Sequence, residues 1–182
     1  MQKESPTRRA VTTALVTAAA FAAGAGAMTL WTRKDIGARL FNPLRLDDFV
    51  LAGVEGLGVP GFSSADLEGR RSILNFWASW CPSCVAEHKL LIELATRGLA
   101  PIYGANVKDS PEHARAFLTA QGNPYRAVGA DSRALLQHAL GARGIPATYV
   151  IAPGPTVEVA IVGELDRETI EDRIVPALTR LG

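Results

Sequence analysis

Cysteine is all but missing from this chain: two occur in 182 residues, at positions 81 and 84. So small a supply rules out the multi-bridge framework of a small secreted scaffold. With only His88, His113 and His138 to help two thiolates, a four-ligand zinc site is short of candidates, and no metal is expected. An excess of one charge sign is missing as well. Nineteen Lys and Arg stand against eighteen Asp and Glu, for a formal net charge of +1. Without a basic stripe or interleaved aromatics to neutralise a phosphate backbone, nucleic acid is not an expected partner. Internal repeats are absent, and so is low-complexity sequence beyond one Ala-rich stretch near the N-terminus. What remains is 48% hydrophobic and 20% charged, the balance of a folded globular chain. The length allows one domain of ordinary size plus a terminal extension.

Charged side chains vanish between Ala10 and Trp31, directly after a head that carries Lys3, Arg8 and Arg9. As a helix, the 21 positions from Val11 to Trp31 would reach roughly 30 Å, close to the hydrocarbon thickness of a bilayer. The run is apolar all round, which argues against a buried amphipathic helix. Two readings stay open. Residues 1–31 are an uncleaved signal anchor with the basic head inside, or cleavage follows small residues such as Ala25-Gly26-Ala27. Either way the rest of the chain faces outward. Thr7-Arg8-Arg9 also hints at twin-arginine export. Residues 32–45 lack sustained periodicity and read as a linker.

From residue 46 the pattern alternates. Short apolar runs over 46–61 are broken by Gly53, Gly56, Gly58 and Pro60, which predicts a short strand or hairpin. Asp66 to Arg71 predicts a polar turn. Ser72 to Trp77 is an apolar run of strand length, and Val85, Leu90, Leu91, Leu94 and Ala95 recur at helical spacing until Gly98. Ala100 to Val107 predicts the next strand, and Ser110-Pro111-Glu112 an N-cap with proline at the first helical position. A strand near Tyr125 to Val128 follows, then a helix capped by Asp131 or Ser132 that runs through Leu140. Ala147–Ile151 and Thr156–Val162 predict an antiparallel hairpin, and Asp166 caps a last helix through Leu178. A mixed central sheet with helices on both faces is the expected α/β result.

The two cysteines sit in Cys81-Pro82-Ser83-Cys84, where a strand gives way to a helix. At a helix N-terminus, unpaired N–H groups and the positive end of the helix dipole stabilise an anion. In such motifs a thiol pKa falls from about 8.5 into a range of roughly 3.5–7.5. Cys81 is therefore the expected attacking thiolate, and Cys84, one turn on, the thiol that resolves the mixed disulfide. Pro82 at the first helical turn forfeits no hydrogen bond. The competing readings are a structural disulfide, which closes too short a loop to stabilise much, a metal site, and two inert core cysteines.

The block Asn75-Phe76-Trp77-Ala78-Ser79-Trp80-Cys81-Pro82-Ser83-Cys84-Val85-Ala86-Glu87-His88 resembles the active-site segment of the thioredoxin superfamily, in the version carried by cytochrome c maturation proteins of the CcmG/DsbE (CycY) type. Ile102 to Asp109 resembles the next strand and turn of that family, and Gly144-Ile145-Pro146-Ala147-Thr148-Tyr149 its cis-proline loop. The resemblance covers roughly residues 46–182 and implies a thioredoxin-like fold there. It implies that Pro146 is cis and packs against the cysteines, leaving the backbone of Ile145 to pair with an extended client. Trp80, Pro82, Ser83 and Ile145 would line the client site. Asn75 stands where ordinary thioredoxins carry a titrating aspartate, and Glu87 occupies the position of an acidic residue thought to serve instead; a solvated helix residue is the alternative. Ala147 departs from the family, which commonly has glutamate after the cis-proline. His88 reads as a helix-surface residue.

The function implied is that of a thiol-disulfide oxidoreductase without a cofactor, anchored in a bacterial inner membrane by one span with its catalytic domain in the periplasm. It would reduce the cysteines of apocytochrome c before haem attachment and be re-reduced by a membrane electron donor of the CcdA/DsbD type. A reductant for another exported client, such as one for copper-protein assembly, would share the active site. A non-catalytic peptide-binding module is the reading from outside the enzyme class.

Overall fold

The computed structural model describes residues 44–180, Pro155 excepted. The expected anchor over 1–31 and most of the expected linker lie outside the described residues. None of the described helices is long and apolar enough to cross a membrane.

Two runs without a single exposed residue form the middle of the sheet, β3 (Ser72–Trp77) and β4 (Ile102–Val107). Strands buried on both faces read as continuous apolar runs, and they pair in parallel when a helix carries the chain back between them. That helix is α1 (Pro82–Thr96), and α2 (Pro111–Gln121) does the same between β4 and β5 (Ala127–Asp131). After a short α3 (Leu135–Ala139), β6 (Ala147–Ile151) and β7 (Val157–Val162) form the predicted hairpin. The sheet order is β5-β4-β3-β6-β7, with β3, β4 and β5 parallel and β6 antiparallel to both β3 and β7. This is the thioredoxin-like α/β architecture.

Alternation along β3 divides the core. Ile73 and Trp77 face a cluster with Leu91 and Leu94 of α1, Leu118 of α2 and the C-terminal helix residues Ile170, Ile174 and Leu178. Leu74 and Phe76 face the other way, onto Tyr149, Tyr103, Leu136 of α3 and Leu140 just after it. The cysteines belong to the first cluster.

Two caps follow the sequence. Ser110 Oγ accepts the His113 N–H at 3.1 Å, and Asp166 Oδ1 accepts the Thr169 N–H at 2.7 Å. Before α3 neither candidate is the N-cap residue, which is Ala134 in the left-handed region; Asp131, three positions earlier, supplies the acceptor, its carboxylate taking the N–H groups of Leu135 (2.7 Å) and Gln137 (3.0 Å).

Three further expectations shift. The strand predicted near Tyr125 starts at Ala127, because Tyr125 turns its ring into the core. The last helix is not uniform: it passes from Arg167–Thr169 through a π turn, Ile170–Ile174, into Val175–Thr179. Pro176 has no N–H to give the carbonyl four residues back, and its ring crowds that carbonyl, so the preceding turn widens. The linker also ends sooner than residue 45. The Leu44 carbonyl accepts the Val157 N–H at 2.8 Å, Arg45 pairs with Thr156, and Leu46 is buried.

The segment after Leu46 covers an edge. β1 (Val50–Leu51) and β2 (Phe62–Ser63) pair with each other, and the stretch between them bonds along β5, through Val128 N–H to Pro60 O (2.9 Å) and Ala130 N–H to Ala52 O (2.8 Å). An otherwise open strand edge is thereby closed. Gly129 makes the approach possible, since a Cβ there would overlap Leu51 Cβ.

Candidate active site

β3 delivers the chain to the site, and α1 starts it. After the buried Ala78 the backbone turns back, with Cys81 N–H reaching the Ala78 carbonyl at 3.3 Å, and Cys81 becomes the N-cap of α1. Its Sγ accepts the Cys84 N–H at 3.2 Å, and its carbonyl accepts the Val85 N–H at 3.1 Å. The first sulfur thus occupies the place that a capping oxygen takes in an ordinary helix, at the positive end of a 15-residue dipole. Cys81 and Cys84 are joined as a disulfide with Cα atoms 5.2 Å apart, and both residues are buried. Pro82 is exposed and Ser83 half-buried beside them.

The Pro146 loop lies across the pair. The Ile145–Pro146 bond is cis, and the Ile145 carbonyl oxygen is 3.7 Å from Cys81 Sγ. Ala147 is fully buried in the cluster under α3, so this position presents no side chain to the surface around the cysteines. Trp80 is 57% exposed, which leaves a large aromatic surface next to Cys81.

Glu87 lies one turn beyond Cys84, and of its two sequence readings the solvated one is excluded: the residue is 1% exposed. Each carboxylate oxygen has a donor. Asn75 Nδ2 reaches Oε1 at 3.0 Å, and the Leu165 N–H reaches Oε2 at 2.8 Å. Asn75 Nδ2 also contacts Thr148 Oγ1 at 3.0 Å, and its Oδ1 accepts the Tyr125 hydroxyl at 2.9 Å. Burial pushes the Glu87 carboxyl from 4.5 up to about 7, against the pull of the Leu165 and Asn75 donors, with the Glu164 charge adding to the rise. Burial, and secondarily the Glu87 charge, holds the Tyr125 hydroxyl well above its ordinary range. Asn75 cannot titrate, but it ties the one group that can to β3. Gly104 makes room for this arrangement in β4, opposite Asn75: a Cβ would sit 2.9 Å from both the Tyr125 ring and Trp77 Nε1.

His88 corrects the sequence reading. It is buried rather than on the helix surface, packed edge-on against Phe117 with ring centroids 4.7 Å apart, and its Nε2 is 2.9 Å from the Gly122 carbonyl. Burial lowers its pKa, with the Gly122 carbonyl opposing. Pocketed between α1 and α2, it is a core histidine satisfied by a main-chain acceptor. Three participants escaped the sequence reading altogether: Thr148, Tyr125 and the Leu165 amide. For Thr148 the signal was its place two residues past Pro146; the other two carried none. No group of three or more His, Cys, Asp or Glu among the described residues is placed to hold a metal ion.

The site thus brings together a cysteine pair capping a helix, a cis-proline facing it and a buried glutamate one turn on. Residues 45–172 match the redoxin family. The chain belongs to the redoxin family. Among redoxins it is 39% identical to the thiol:disulfide interchange protein HelX of Rhodobacter capsulatus, over 69% of this chain and 72% of that one. It is 36% identical to the thiol:disulfide interchange protein DsbE of Escherichia coli, over 68% of each. The crystal structure of a thioredoxin-family thiol:disulfide interchange protein from Chlorobium tepidum superposes with a TM-score of 0.63 at 26% identity, covering 76% of this chain and 98% of that one. This redoxin is thus a CcmG/DsbE-type member of the thioredoxin superfamily and a thiol-disulfide oxidoreductase.

Proposed function

We propose that the protein is a periplasmic disulfide reductase, tethered to the inner membrane by residues 1–31, that reduces apocytochrome c cysteines before haem attachment. The observation that carries the chemistry is Cys81 Sγ at the N-cap of α1, accepting the Cys84 N–H. In the reduced protein the Cys81 thiolate attacks one sulfur of a client disulfide. The Cys81–client S–S bond forms, the client S–S bond breaks, and the departing thiolate takes a proton. Cys84 then loses its proton to Glu87 and attacks Cys81 Sγ. The Cys81–Cys84 bond forms, the second client sulfur leaves, and the client has gained two electrons. A carboxyl held near 7 suits this proton transfer at near-neutral pH. The client lies extended along the Ile145 backbone, between the Pro146 loop and the Trp80, Pro82 and Ser83 surface. A membrane electron donor of the CcdA/DsbD type returns the pair to the dithiol.

Support for the client and the location is the resemblance to CcmG/DsbE proteins together with the charge-free stretch after Lys3, Arg8 and Arg9. The test combines trapping with complementation. Cys84→Ser is expected to accumulate a mixed disulfide with a disulfide-bonded apocytochrome c peptide through Cys81, seen by mass spectrometry, and Cys81→Ser to form none. Cytochrome c formation at wild-type level in cells carrying both substitutions would replace the redox reading with one of client binding alone. A reduction potential near about −120 mV, that of a strong oxidant, would reverse the direction of electron flow.

A further inference from the structure

The turn that presents Trp80 and Cys81 is held from outside by the turn after β4. Asp109 is half-buried there, and its carboxylate receives four donors. On Oδ2 these are the Ser79 N–H at 2.7 Å and Asn106 Nδ2 at 3.0 Å; on Oδ1 they are Ser79 Oγ at 2.9 Å and the Ser110 N–H at 2.9 Å. An ionised carboxylate offers about four acceptor positions, so the group is saturated by protein donors. Two of them belong to Ser79, the residue before Trp80. Charge-assisted bonds of this kind are the strong ones, and an amide in the same place would set its own N–H groups against two of the donors.

The neighbouring residue completes the hold. Lys108 lies in the left-handed region at φ 46°, uncommon for a residue of this type. Its carbonyl accepts the Trp80 Nε1–H at 3.0 Å. The indole is therefore pinned by its one polar atom while more than half of its surface faces solvent. An exposed aromatic ring fixed beforehand offers contact area to a ligand without the entropy cost of ordering it on binding. The hydrogen bonds of Asp109 go to Ser79, Asn106 and Ser110, and that of the Lys108 carbonyl to Trp80.

We propose that Asp109 is a positioning residue of the exchange reaction: through Ser79 and the left-handed Lys108 it fixes the Trp80 ring as a rigid platform for the client segment that reaches Cys81. The inference rests on the reading of Cys81 as the attacking sulfur. It names the class of substrate that benefits, an extended peptide with an apolar or aromatic side chain beside its reacting cysteine. A small disulfide that cannot span from Cys81 to the ring gains nothing from it.

The test compares two disulfides on the full chain: bis(2-hydroxyethyl) disulfide, and a short disulfide-closed peptide with phenylalanine beside the attacked cysteine. Asp109→Ala is expected to raise the peptide KM about tenfold and leave kcat and the small-disulfide rate within about twofold of wild type. Asp109→Asn should behave like Asp109→Ala, and Ser79→Ala, which removes one of the four donors, should fall between. An unchanged peptide KM in Asp109→Ala, or an equal loss with both disulfides, overturns the proposal. Should Asp109→Ala fail to fold, Ser79→Ala decides: an unchanged peptide KM there overturns it too. Failure of the underlying reading looks different, because Cys81→Ser would then leave both rates intact whatever stands at position 109.

Discussion

Glu87→Gln removes an ionisable group while keeping its shape, and so isolates what burial does to that carboxyl. In the folded protein the group holds its proton until about pH 7, whereas its ordinary value is 4.5. Folded protein therefore carries a proton that the unfolded chain has already released between those two values. Unfolding gives that proton up, and the Glu87 contribution to stability falls as pH rises through the window; it is level below 4.5 and level again above about 7. A gap of about two and a half pH units at about 1.36 kcal/mol each comes to about 3 kcal/mol. The variant does not titrate at this position. Wild type should therefore lose about 3 kcal/mol relative to Glu87→Gln on going from pH 4.5 to 8. Urea unfolding of both oxidised proteins in half-unit pH steps reads this directly, provided the slopes m agree between them. Any constant cost of the substitution, such as a rearranged Asn75 amide, drops out because only the pH dependence of the difference is used. A difference that stays flat across the window, or wild type gaining on the variant as pH rises, would refute the account of Glu87 as a desolvated carboxyl.

His88 gives the opposite slope. Its folded pKa lies below the ordinary 6.5, so the unfolded chain takes up the proton first and stability falls as pH drops below 6.5. His88→Gln keeps a donor for the Gly122 carbonyl without the titration, and should overtake wild type in acid denaturation; parallel acid unfolding curves would count against this. Gly129→Ala forces a Cβ against Leu51 and Phe62, and is expected to destabilise by about 3 kcal/mol, the upper end for an overpacked contact. Limited proteolysis should then cut first between residues 52 and 61, and an uncut loop at wild-type stability would contradict the packing described.

Much of the fold was legible because it is local. Ser72 to Trp77, the helix that Pro82 opens, the Ser110 and Asp166 caps and the β6–β7 hairpin each carry their signal within a few residues. Glu87 and His88 were harder for a specific reason. The face of α1 that is buried runs Cys84, Glu87, His88, Leu91, Leu94, a stripe at helical spacing with two polar members. Reading only the apolar side chains rotates that stripe toward Val85 and Leu90, and Val85 is in fact 44% exposed. A carboxylate and an imidazole on a core face are exactly where pattern and chemistry part, since both are made tolerable by donors and acceptors from elsewhere in the chain. Asp109 with Ser79, Tyr125 with Asn75 and Leu165 with Glu87 span 30, 50 and 78 positions; spacing along one element carries no trace of such pairs.

One of the donors to Glu87 is not a side chain. Because the Leu165 amide belongs to the main chain, nineteen of the twenty amino acids at position 165 would supply it unchanged, and proline alone would take it away. Retuning the Glu87 carboxyl by substitution therefore falls to Asn75 or Glu164, while the choice of side chain at position 165 answers to packing alone, in the core where Leu165 is buried.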